Sequence, residues 1–236
     1  MPVDLHRGAD RFTTGLEWLD SRHSFSFGPH YDAANTHFGL LVASNDDVVA
    51  PGAGFESHPH RDMEIVTWVL AGALAHEDSA GHRGVVRPGL VQHMSAGTGV
   101  VHAEMNADPD EPVRFVQMWV LPERIDLEPS YSQADVSAAL GRGGLTVVAS
   151  GRPHPGAVRL HQPAATLHAG RLRAGERVTV PDAAYVHLYV ARGAIDLDGA
   201  DRLTEGDAAR LTGAGEVALA AAADAEVLVW EMAAAV

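Results

Sequence analysis

Two short patterns in the first half of the chain carry residue types that can hold a metal. GFESHPHRDMEIVTWVLAG, over 54–72, places His58 and His60 two positions apart. GTGVVHAEMN, over 97–106, does the same for His102 and Glu104. Successive side chains on a β-strand alternate between faces, so each pair presents both members to one side. If the two strands lie together, they assemble three imidazoles and a carboxylate. Such a set suits Fe, Ni, Cu, Co, Mn or Zn, and open coordination positions would admit a substrate. An isolated His-x-His is commonly a surface feature; the second pair, one hairpin away, is what points to a metal. Pro59 lacks an N–H, which fits a strand start, an edge or a bulge. Glu64 shares parity with His58 and His60 and competes with Glu104 for the carboxylate position. Spacing alone does not choose between them.

The elements that must position these residues read as strands. HFGLLVASNDD (37–47), MEIVTWVLAG (63–72), VRFVQMWVLP (113–122), LTVVAS (145–150) and YVHLYVARG (185–193) are short, rich in β-branched and aromatic residues, and bounded by turn formers. Many such runs predict a β-sandwich or barrel. Pro122 to Gly144 differs: it holds Pro129 and then SQADVSAALGRGG, a short helix ending in glycines. We read it as the connection between two domains, 1–135 and 136–236. WVLAGALAHED (68–78) resembles LYVARGAIDLDG (188–199), and RPGLVQHMSAGTG (87–99) resembles LTEGDAARLTGAG (203–215), which suggests an internal duplication. Counting from the shared glycines, the positions matching the four ligand candidates are Thr179, Pro181, Leu219 and Ala221. None is a good ligand, so the second copy is expected to keep the fold and lack the site. The tail is expected to form two closing strands, VALA and AEVLVWEM.

Composition narrows the functional classes. The 236 residues are 46% hydrophobic, enough for a substantial core, and the formal net charge is −14. With no basic block, direct nucleic-acid binding is not expected. All 17 basic residues are Arg, which carries no functional argument, and there is no Cys, so thiolate ligands, thiol nucleophiles and disulfides are excluded. Ten of the 14 histidines fall at or before position 102, so a ligand set built from His and carboxylates is expected in the first half. His6, His23, His30 and His37 read as exposed or hydrogen-bonding positions, and His76, His82 and His93 as solvated loop residues. The polar start MPVDLHRGADRF has no signal-like apolar core, and no apolar run is long enough to span a bilayer; a cytoplasmic protein without membrane contact is expected.

HPHRDMEIVTWVL, GALAHEDSAG, RPGLVQHMSAGTGVVHAEMN and FVQMWVLP resemble the pirin family of the cupin superfamily. RGADRFTTGLEWLDSRHSFSFGPHYD and FGLLVASNDDVVAPGAGFESHPHRD resemble its bacterial branch. The resemblance is strong over about 7–130 and looser beyond. It implies an all-β bicupin: two β-barrel (jelly-roll) domains packed face to face, with metal in the first alone. It maps the metal ligands onto His58, His60, His102 and Glu104, and makes Glu64 a pocket residue. His93 and Ala103 depart locally from what relatives often carry.

The resemblance also implies one divalent metal, usually Fe(II), and a monomer. Some relatives open the flavonol quercetin oxidatively, so a quercetin 2,3-dioxygenase-type reaction on a flavonol and O₂ is expected, with Glu104 as the candidate base and Glu64 as the second. The alternative is an iron-dependent redox sensor that binds a protein partner; the acidic charge favours protein over bare DNA. A wide pocket mouth beside the metal would favour the enzyme, an occluded metal the sensor.

Overall fold

In a computed structural model of the chain, residues 3–236 are described; Met1 and Pro2 of the polar start lie outside that range. Four antiparallel-dominated sheets make up two similar units. In the first unit a seven-stranded sheet runs in the order Ser130–Asp135, Leu90–Ser95, Glu64–Ala71, Val113–Val120, Leu41–Val49, Leu19–His23 and Phe12–Gly15. It faces a four-stranded sheet of Gly54–His60, Val100–Asn106, Leu74–Asp78 and Arg83–Val86. The second unit repeats the plan. Its four-stranded sheet is Arg177–Val180, Val217–Ala221, Ala194–Leu197 and Leu203–Thr204, set against a second seven-stranded sheet. The result is the expected all-β pair of jelly-roll units, although the sheets form open sandwiches rather than closed barrels.

Burial patterns follow from this layering. Leu74–Asp78 and Val100–Asn106 alternate buried and more exposed positions, because their sheet has one face inward and one in solvent. Glu64–Ala71 is buried along almost its whole length. Both of its faces are covered, since the two seven-stranded sheets pack on each other. One continuous cluster, including Val66, Trp68, Met118, Leu167, Leu228 and Trp230, fills the space between them. Polar ties cross it: Trp68 Nε1 donates to Glu226 (2.8 Å), and Tyr189 Oη donates to Asp46 (2.5 Å), which also pairs with Arg114 (2.8 Å).

The linking segment contains more strand than expected. SQAD belongs to Ser130–Asp135, which pairs with Leu90–Ser95 at a sheet edge that supplies its backbone partners. The helix is a single turn, Ser137–Leu140. The tail forms the strands Val217–Ala221 and Ala225–Met232. The first described strand, Val3–His6, pairs with Ala208–Thr212 in the second unit's large sheet. Gly8 follows it, where a Cβ would come within 2.9 Å of the Gly206 backbone, so a larger residue would push the two segments apart. Asp207 closes the clasp, accepting from Gly8 N–H (2.7 Å) and from Arg7 (3.0 Å).

Candidate metal centre

Gly54–His60 is the edge strand of the first four-stranded sheet, which accommodates Pro59. Its neighbour is Val100–Asn106, with His102 directly opposite His58, and the register shifts between His102 and Glu104. Gly54 makes the close approach possible, since a Cβ there would lie 2.3 Å from the Glu104 carbonyl oxygen. The imidazoles of His58, His60 and His102 converge: ring centroids lie 4.4 Å apart for His58 and His102, and 4.9 Å apart for His60 with either. One ligand atom from each lies within 4.8 Å of the other two. Glu104 joins a second, overlapping group with His76 and His102.

Hydrogen bonds fix which nitrogens face the centre. His58 Nδ1 must donate to the Glu56 carbonyl (2.7 Å), leaving Nε2 with its lone pair. Asp78 accepts from His76 Nε2 (3.3 Å). His76 Nδ1 then carries a lone pair and accepts from His102 Nδ1 (3.3 Å), which leaves His102 Nε2 as a lone-pair donor. Carboxylate support of this kind orients ligating imidazoles. On the opposite wall, Trp119 Nε1 donates to Gln117 Oε1 (3.1 Å), so the Gln117 amide donates to Glu104 Oε2 (2.6 Å). The Trp119 ring also stands edge-on to His60 at 4.9 Å.

The donor set fits a metal. His60 Nε2, His102 Nε2 and Glu104 Oε1 are buried without a hydrogen-bond partner in the protein. Buried polar atoms left unpaired are costly, and three within these two overlapping groups point to an external partner. Burial and neighbouring histidines lower the His102 pKa to about 3, and burial with nearby His58 lowers that of His60 to about 4. Both are therefore neutral, the form that ligates. Burial pushes Glu104 up to about 7, against the Gln117 hydrogen bond.

Glu64 is not brought to this cluster. The chain turns after His60, with Asp62 at φ 49°, and Glu64 begins a strand of the other sheet. Parity counted through that corner does not hold. Glu64 lies on the face of Val66 and Trp68, pointing at the second unit, where it accepts from His93 (2.8 Å), Ser95 (2.5 Å) and the His161 backbone N–H (2.7 Å). Those bonds and the His93 charge outweigh burial and hold its pKa down at about 2.

His76 and His93, read as solvated, are buried, 3% and 1% exposed. The alternation of Leu74, His76 and Asp78 was the signal that His76 turns inward. His23, among the early histidines, is a buried hydrogen-bonding residue on Asn45 (3.0 Å).

A recess of about 630 Å³ adjoins His58, lined by Trp18, Phe55, Glu56, Met105 and the glycine-rich turn before them. Its walls are mainly apolar, and of the three clustered histidines His58 lines it.

Known proteins share this fold. Residues 6–120 match the family model described as Pirin, and residues 147–232 match the quercetinase C-terminal cupin domain. A Mycobacterium tuberculosis protein provisionally named a quercetin 2,3-dioxygenase is 54% identical, covering 98% of this chain and 95% of its own. The Escherichia coli quercetin 2,3-dioxygenase is 33% identical over 98% of both chains. The crystal structure of the E. coli bacterial pirin YhhW in complex with nickel(II) superposes with a TM-score of 0.91 at 32% identity, covering 100% of each chain. With a family model on each unit and whole-length relatives above 30% identity, the chain belongs to the pirin family of cupin-fold proteins.

Proposed function

We propose that this protein is a metal-dependent dioxygenase acting on a quercetin-like flavonol, with its metal held by His58, His60, His102 and Glu104. The observation that carries the reading is the convergence of three imidazoles beside a carboxylate oxygen, with unpartnered buried atoms at the centre and an apolar recess at its edge. The quercetin dioxygenase names of its relatives and the nickel complex of YhhW support a small-molecule substrate and a metal. Fe(II) is the proposed ion, with Ni, Co, Mn, Cu and Zn compatible with the same donors.

When bound, such an ion supplies a Lewis acid that acidifies a substrate hydroxyl and brings electron-rich substrate and dioxygen together. The chain's own groups do the rest. Asp78 and His76 hold the His102 ring. Gln117 holds one oxygen of Glu104 and leaves Oε1 to ligate or to receive the flavonol proton. Trp18, Phe55 and Met105 offer an apolar surface to flat aromatic rings and exclude water. Glu64, turned away from the cluster, has a supporting place between the units.

Anaerobic loading with each metal, then addition of quercetin and O₂, tests this through loss of the flavonol absorbance. Turnover that His58→Ala abolishes is expected. Absence of turnover with every metal would exclude quercetin, and turnover retained in His58→Ala would overturn the site. The redox-sensor alternative gains ground only if the metal-loaded protein turns over no flavonol yet captures a partner in one oxidation state.

A further inference from the structure

A second group of orphaned polar atoms shares no residue with the histidine cluster. It lines a cavity of about 440 Å³ where the segment around Arg11, the Ser24–Asn35 loop and the second unit's large sheet meet. Arg210, 6% exposed, spends Nη2 on the Ser24 carbonyl (3.2 Å) and Asn35 Oδ1 (2.7 Å). Its Nε has no partner. Arg11 spends its outer nitrogens on Tyr189 Oη (2.9 Å) and on the carbonyls of Arg22 (2.6 Å) and Ser44 (3.2 Å), and its Nε is likewise unpartnered. Ser24 Oγ and His187 Nε2, 7% and 1% exposed, are also buried without partners. His187 sits opposite Arg210 in the sheet register, so the two share a face.

Two guanidinium groups therefore line this cavity, and the buried carboxylate nearest Arg11, that of Asp46, lies beyond Tyr189 Oη (2.5 Å) and is taken by Arg114 (2.8 Å). Neither forms an ion pair among the described residues, in a chain with net charge −14. Nearby acids are engaged or at the rim. Asp4, the direct cross-strand neighbour of Arg210, is exposed and bonded to His6 (2.8 Å). Asp32 is exposed and accepts from the Ala34 N–H (2.9 Å), Asp10 is exposed, and Asp207 is taken by Arg7 (3.0 Å). Stacking of Arg210 on Phe25 (4.5 Å) accounts for the burial of its face but leaves its edge donor unsatisfied. Burial lowers the Arg210 pKa to about 10, against the partial support of the exposed Asp4 carboxylate. Uncompensated buried charge is strongly unfavourable, and a forked guanidinium edge matches the oxygens of a carboxylate or phosphate.

We propose that this cavity binds a small organic oxyanion, its charged group held by Arg210, Arg11 and Ser24 and its body lying against Phe12 and Leu5. Its walls come from both units, so occupancy would also tighten their docking.

Titration calorimetry and thermal shift with benzoate and with inorganic phosphate test the site. Saturable binding that raises Tm is expected; benzoate alone would mark a carboxylate ligand, phosphate alone a phosphorylated one. Arg210→Gln should weaken it by about tenfold or more. His58→Ala should leave it unchanged, which separates this site from the proposed metal centre. No saturation by either anion up to ~10 mM, or wild-type affinity in Arg210→Gln, overturns the proposal. If Arg210→Gln does not fold, Ser24→Ala and Arg11→Gln carry the test, and wild-type affinity in both overturns it.

Discussion

The two units have the same plan and opposite interiors. Position four of Glu64–Ala71 is Thr67, paired with position five of Val113–Val120, which is Gln117. The matching pair in the second unit is Leu188 opposite Val229. Where the first unit sets His102 opposite His58, the second sets Leu219 opposite Val178. Polar groups at those places join His76, Asp78 and Gln92 in a buried hydrophilic centre, while the second interior is one aliphatic cluster. A polar interior gives up hydrophobic stabilisation and has to be satisfied group by group. The difference teaches that the chemistry is a local graft on a duplicated scaffold, and that the aliphatic copy can supply stability the polar one forgoes.

Four substitutions or titrations can break or sharpen that contrast. His102→Ala should lower metal affinity by more than about 100-fold while the chain stays folded, read by metal analysis beside circular dichroism; stoichiometric metal in this variant would end the claim that the polar interior is a metal site. Leu188→Ala should cost about 2–5 kcal/mol in urea denaturation yet leave metal affinity unchanged; an equal loss of affinity would mean the units are not separable in role. Asp78→Asn, which weakens the hold on His76 and through it His102, should reduce metal affinity about 10–100-fold with little change in stability.

The smallest effect concerns pH and the interface between the units. Glu64 titrates near 2 in the folded chain against 4.5 normally, so its contribution is present above pH 4.5 and is lost as pH falls towards 2. Burial keeps His187 far below 6.5, so the folded chain refuses a proton that the unfolded chain accepts, and stability also falls as pH drops below 6.5. Chemical denaturation from pH 7 to 3 should show both slopes. Glu64→Gln should flatten the lower one, and an unchanged profile would exclude its role.

Much of this was legible in the sequence where strand parity is unbroken. His58 with His60, and His102 with Glu104, each sit within a single strand, so period-two reasoning carried them to one face. It failed at Glu64 because the chain changes sheet at Asp62. It also slipped in the second unit: Thr179 is exposed and Pro181 lies past the strand end, while the inward positions are Val178 and Val180. The count back from the shared glycine crosses the connection between strands, residues 61–63 in the first unit but 181–184 in the second, and that one residue of slip exchanges faces. Leu219 and Ala221, on a strand that begins at the same count after its glycine as Val100–Asn106 does, are the inward residues expected. His76 was marked by alternation with Leu74 and Asp78 that loop-like neighbours obscured. Arg210 and His187 had no such mark, since their meeting with Arg11 and Ser24 depends on contacts spanning most of the chain.

The clasp between Val3–His6 and Ala208–Thr212 sets a timetable for folding. A ribosome releases the first strand long before its partner exists, so that strand must wait, unpaired, while the first unit assembles. Closing so long a loop is a late and slow event, and the edge at Ala208–Thr212 stays open until it happens. A chain interrupted before residue 208 would leave the waiting segment without a place, and a chain shorn of its opening residues would present a bare strand edge to its neighbours.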